Sequence, residues 1–197
     1  MKSLLPFLFL LATACAPRGG WTSAEKAIID QPDSVMHVYT MPGDSAVLRA
    51  VSTDLGEREL ASEELKTLLA KMLRTVTDPS QDGVGIAAPQ VGINRRIVCV
   101  MRYDKPGEPF ESFLNIRIDS LIGPVSPGPE GCLSLPGLYG IVPRHQAAQI
   151  SYLTPDGKPV TERVEGYTAI IFQHECDHLD GILYTDRADS VWTFNNF

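Results

Sequence analysis

The chain has 197 residues, 44% of them hydrophobic and 21% charged, enough for one hydrophobic core and too little for a multidomain assembly. Its 17 Lys+Arg against 24 Asp+Glu give a net charge of −7 with no basic block, which argues against nucleic acid as a partner. Ordinary aromatic, glycine and proline contents exclude a disordered or fibrous chain.

Met1-Lys2-Ser3 is a short basic start, and Leu4 to Leu11 is an apolar run interrupted by Pro6. Such a run is too short for a bilayer core that needs roughly 20 residues. It ends in Ala12-Thr13-Ala14 ahead of Cys15, small residues that suit a signal-peptide cleavage site. The pattern resembles a bacterial lipoprotein signal. That resemblance implies removal of residues 1–14, lipidation of Cys15 and a membrane-anchored protein of the bacterial cell envelope; an unused signal would leave the chain in the cytoplasm. Residues 15–35 mix Pro, Gly and polar residues without periodicity and read as a tether, leaving 36–197 as the folded domain.

From Glu59 to Val76, Leu60, Leu65, Leu68, Leu69, Met72 and Leu73 recur at three- and four-residue steps, predicting a helix with one apolar stripe. Arg96–Tyr103 and Phe113–Asp119 read as strands. Gln149–Leu153 and Pro159–Glu165, joined through Thr154-Pro155-Asp156-Gly157, read as a hairpin. Gly166–Asp180 has helical spacing and stops at Gly181. This order predicts an α+β class, with antiparallel or mixed β-sheets around one late helix.

That late helix carries Gln173-His174-Glu175-Cys176-Asp177-His178. Histidines four residues apart project from one helix face and can share one metal ion, while Glu175 sits beside the ion's open position, where it can take and return a proton. Two ligands leave a third to be found. Cys132, in Glu130-Gly131-Cys132-Leu133-Ser134, is a candidate on weak grounds, because a lone loop cysteine is more often a buried thiol. Gly83-Val84-Gly85-Ile86-Ala87-Ala88-Pro89-Gln90 reads as a glycine-rich turn where a peptide backbone can approach and Gln90 can offer its amide N–H.

Taken together, GVGIAAPQ, EGCLS and QHECDHLDG, in this order, resemble the three motifs of peptide deformylases, over roughly residues 36–187. The resemblance implies a divalent metal held by Cys132, His174 and His178, with ferrous iron usual and zinc, nickel or cobalt as substitutes. It implies hydrolysis of the N-formyl group of formylmethionyl peptides, with Glu175 moving the proton and Gln90 and the Leu133 backbone N–H around the developing oxyanion. Backbone at Gly85 and Ile86 would pair with the peptide as an added strand. Tyr167, Ile170, Ile171 and His174 would line the methionine pocket.

Tyr139 stands where the family commonly has a basic or polar residue, and Tyr167 where it often has Leu, so substrate preference is open. An export signal is also unusual for enzymes that act at the ribosome. Outside the cytoplasm a thiolate and ferrous iron are exposed to oxidation, which raises zinc as the working metal. Cys99 and Cys176 read as buried free thiols, and Asp177, Asp180 and Arg144 as supporting or surface residues. A single chain without a partner protein is expected. Competing readings are a deacylase of other N-acylated peptides or amino acids and a non-catalytic lipoprotein that binds N-blocked peptides. A zinc endopeptidase would need a third ligand downstream of His178, where only Asp180, Asp186 and Asp189 follow.

Overall fold

The computed structural model describes residues 19–81 and 83–193. Leu65, Leu68, Met72 and Val76 fall on one face of helix α4 (Glu63–Val76) and are buried there. The predicted helix from Glu59 is split in two. Ser62 leaves helical geometry to cap α4, its Oγ accepting from the Leu65 N–H at 3.2 Å, so Glu57–Leu60 forms a separate turn, α3.

The strands form one six-stranded sheet, β1 (Gly85–Ala87), β2 (Ile97–Met101), β3 (Phe110–Gly131), β4 (Leu138–Leu153) and β5 (Pro159–Glu165) in that spatial order, with β6 (Ser190–Thr193) also on β4. Every strand pair is antiparallel; the parallel pairing among the described residues is an isolated bridge, Thr53 to Arg95. GVGIAAPQ is therefore strand β1 followed by a 3-10 turn over Ala88–Val91, rather than a glycine-rich turn.

Two cores flank this sheet. Ile86 and Cys99 join Leu65, Leu68 and Met72 on the α4 side. Ala87, Val98, Val100 and Phe113 join Ile171, Phe172 and Leu179 of α5 (Gly166–Leu179) on the other. Helix α5 is covered on nearly all sides, which is why its sequence lacks a clean polar face. It ends where predicted: Gly181 takes φ +71° against the Arg49 backbone, an approach that leaves no room for a Cβ.

The tether expected over 15–35 does not hold for its described part. Ser23–Ile29 is a helix, α1, with a capping box at Thr22, and Trp21, Ile29 and Met36 belong to the core. Arg95 fastens the segment: it binds both Glu25 oxygens at 2.6 and 3.0 Å, Glu59 at 3.1 Å and the Gly20 carbonyl at 3.3 Å, and it stacks on Trp21. Apolar burial and a buried cation fold what composition alone presents as linker. Arg95→Ala, by stripping Glu25 and Glu59 of their shared cation, is expected to cost about 3 kcal/mol. Denaturant unfolding reads the loss, and proteolysis should then cut before residue 36.

Candidate active site

His174 and His178 lie one turn apart on α5 with ring centroids 5.0 Å apart. Strand β3 ends at Gly131 and delivers Cys132 to the same point: its Sγ is 3.2 Å from His178 Nε2, and one donor atom from each of the three residues lies within 4.8 Å of the others. One thiol and two imidazoles at this spacing fit a borderline-soft divalent ion. Burial lowers the His178 pKa well below the ordinary range, which keeps its ring neutral, as a ligand must be. Burial acts on His174 in the same direction, but hydrogen bonds to Cys132 and Glu130 reverse the effect.

Glu130 is the residue that sequence reasoning missed. Its Oε2 lies 2.8 Å from His174 Nδ1, which turns the other ring nitrogen toward Cys132 and His178. Arg144 holds Glu130 with two hydrogen bonds of 2.8 and 3.0 Å, and a third, of 2.5 Å, ties it to Asp177, which Arg187 grips in turn. Arg144 and Asp177 thus support the histidines, while Asp180 pairs with Arg96 outside the site. No sequence signal pointed to Glu130, because β3 reaches Gly131 through a proline-rich stretch and Cys132 lies just past its end.

Glu175 is buried on α5 with Oε2 lacking a protein partner, and burial pushes its pKa up to about 7. A carboxylate poised there can accept a proton and give it back near neutrality. Gln90 is fixed by its own oxygen: Oε1 accepts the Ala87 N–H at 2.8 Å, so Nε2 must face Ser134 at 3.3 Å and Cys132 at 3.5 Å.

A cavity of about 430 Å³ opens in front of these groups, lined by Gly85, Gln90, Cys132, Leu133, Tyr167, Ile170, Ile171, His174 and Glu175. Ile86 is not brought to it. The Val84 carbonyl is bonded to β2 and the Ala87 N–H to Gln90, so alternation turns the N–H and C=O of Gly85 to the free edge of β1 and those of Ile86 toward β2. The Ile86 side chain is buried on the α4 side. Cys15 lies outside the described residues. Cys99 and Cys176 are free and buried, each thiol pushed up to about 12 by burial.

A sequence profile of the polypeptide deformylase family matches residues 35–193. The chain belongs to the peptide deformylase family. Among its relatives, the peptide deformylase of Leptospira biflexa is 38% identical over 155 residues, spanning 75% of this chain and 86% of that one. Peptide deformylase 1 of Xanthomonas campestris is likewise 38% identical, over 77% of this chain and 90% of its own. The Met-Ala-Ser-bound class I type b peptide deformylase of Acinetobacter baumannii superposes with a TM-score of 0.70 at 34% identity, over 78% of this chain and 98% of that chain. The α+β fold and a metal-dependent hydrolase that removes N-formyl groups follow from this membership.

Gly85 of this deformylase shows why its motif is glycine-rich. A Cβ there would stand 2.5 Å from Glu175 Oε1 and 2.9 Å from Ile171 Cγ2. Gly85→Ala must therefore displace the carboxylate, and a misplacement of this size is expected to lower kcat about 100-fold. Steady-state kinetics beside metal analysis should show the loss at unchanged metal content.

Proposed function

We propose that this deformylase hydrolyses N-formylmethionyl peptides at a divalent ion held by Cys132, His174 and His178, from an anchored position in the bacterial cell envelope. The observation that carries the reading is the buried Glu175 carboxylate beside the Cys/His/His donor cluster, at the floor of a cavity with an apolar wall. The ion, when bound, polarises the formyl oxygen and lowers the pKa of water. The chain's own groups do the rest. The outward N–H and C=O of Gly85 pair with the peptide backbone, and Ile170, Ile171 and Tyr167 take the methionine side chain. Glu175 accepts a proton from water as its oxygen adds to the formyl carbon. Gln90 Nε2 and the Leu133 N–H donate to the carbonyl oxygen as it gains charge. Glu175 passes the proton to the peptide nitrogen as the C–N bond breaks, giving formate and a free amino terminus.

The family resemblance favours Fe2+. The export signal favours Zn2+ as a second reading, and elemental analysis of natively isolated protein decides between them. For the anchor, Leu4–Leu11 and the small residues before Cys15 supply the support, and among the described residues no helix is long and apolar enough to cross a membrane. Mass spectrometry of the amino-terminal peptide should find Cys15 lipidated; an unprocessed Met1 would refute the anchor. Matched formyl-Met-Ala-Ser and acetyl-Met-Ala-Ser peptides test the chemistry, with formate release expected to dominate. Dominant acetate release would assign the chain to the deacylases instead.

A further inference from the structure

After α5 the chain turns back, and a 3-10 turn over Tyr184–Asp186 sets an aromatic ring against one of the metal-ligand candidates. The Tyr184 ring lies nearly parallel to that of His174, with 6.0 Å between centroids and 19° between planes. It is 1% exposed, so neither ring face is shared with bulk water. Gly140 of β4 makes room for it, since a Cβ there would stand 3.0 Å from Tyr184 Cε2. The turn is fastened at its far end, where the Asp186 carboxylate accepts the Leu183 N–H at 2.9 Å and pairs with Arg49. The Tyr184 hydroxyl, by contrast, is buried without a hydrogen-bond partner among the described residues.

We infer that Tyr184 is a positioning residue for the metal centre, its ring rather than its hydroxyl holding the His174 imidazole with Nε2 toward Cys132 and His178. The inference rests on the deformylase reading and adds a residue to the site that reading uses. The Glu130 hydrogen bond at Nδ1 sets which edge of His174 faces the donor cluster, but a single bond leaves the imidazole able to rock about it. A flat ring stacked on the imidazole face opposes that rocking. His178 meets the same imidazole at 69° and supplies no parallel face, so Tyr184 is the flat support. A buried hydroxyl without a partner lowers stability, which leaves the ring as the part of the side chain that contributes.

The test compares Tyr184→Phe and Tyr184→Leu with the wild-type chain by two readouts: Zn2+ affinity of the metal-free protein, from competition with a chromophoric chelator, and the visible absorption of the Co2+-loaded protein. Tyr184→Leu keeps apolar bulk without a flat face, and is expected to bind Zn2+ about 10-fold more weakly and to shift the Co2+ bands. Tyr184→Phe keeps the stack, and is expected to match the wild type in both and to melt no lower. Melts of the metal-free proteins establish folding, and Tyr184→Met replaces the Leu variant should that one fail to fold. Wild-type affinity together with an unchanged Co2+ spectrum in the Leu or Met variant overturns the inference, while formate release by the wild type keeps the deformylase reading. An equal loss in Tyr184→Phe also overturns it, by assigning the effect to the hydroxyl. Absence of formate from the metal-loaded wild type sinks the deformylase reading, and the titrations then judge Tyr184 as a support of the metal cluster on their own.

Discussion

Glu175→Gln is expected to lower turnover of a formyl-Met tripeptide by about 100- to 10,000-fold, the span set by loss of a positioned general base. The substitution keeps the shape of a side chain packed against Gly85 and Ile171 and removes its ability to accept a proton. Glu175 is not part of the Cys132/His174/His178 cluster, so metal content should be unchanged. Kinetics and elemental analysis on the same preparation separate the two effects. Unchanged turnover would take Glu175 out of the reaction, and lost metal would make it a ligand.

Glu130→Gln should act through the metal site itself. Against burial, which pushes its pKa up, hydrogen bonds to His174 and Arg144 hold the Glu130 carboxyl below its ordinary range, so it carries its charge at neutral pH. That charge orients His174 and neutralises an Arg144 side chain that is 4% exposed. An amide cannot accept from both Arg144 and His174 with equal strength. Metal affinity is therefore expected to fall about 10- to 100-fold. Arg144 keeps Asp177 but loses one of its two carboxylate partners, which should cost about 2 kcal/mol, or a fall in Tm of roughly 6 °C for a chain of this size. Titration of the metal-free protein and thermal melts read the two separately.

The ligands on α5 were legible because i and i+4 spacing fixes a shared helix face before any tertiary contact is known. Cys132 needed its neighbouring motifs, since a single cysteine carries no geometry. The length of β3 and β4 was not legible. Residues 122–131 contain Pro124, Pro127 and Pro129 and read as loop, yet they pair with β4. They can do so because β2 pairs with β3 only as far as Leu114, leaving the outer edge of the strand free where proline needs no partner. Residues 20–35 were misread for a different reason: Arg95, which holds them, is distant in sequence and its role exists only in the folded chain.

The most direct measurement is formate release from a formyl-Met tripeptide by anaerobically purified protein, assayed as isolated, after chelator treatment and after metal is restored. Metal-dependent deformylation at the Cys132, His174 and His178 cluster predicts release that the chelator stops and that Fe2+ or Zn2+ brings back. Release that survives complete removal of metal would contradict it.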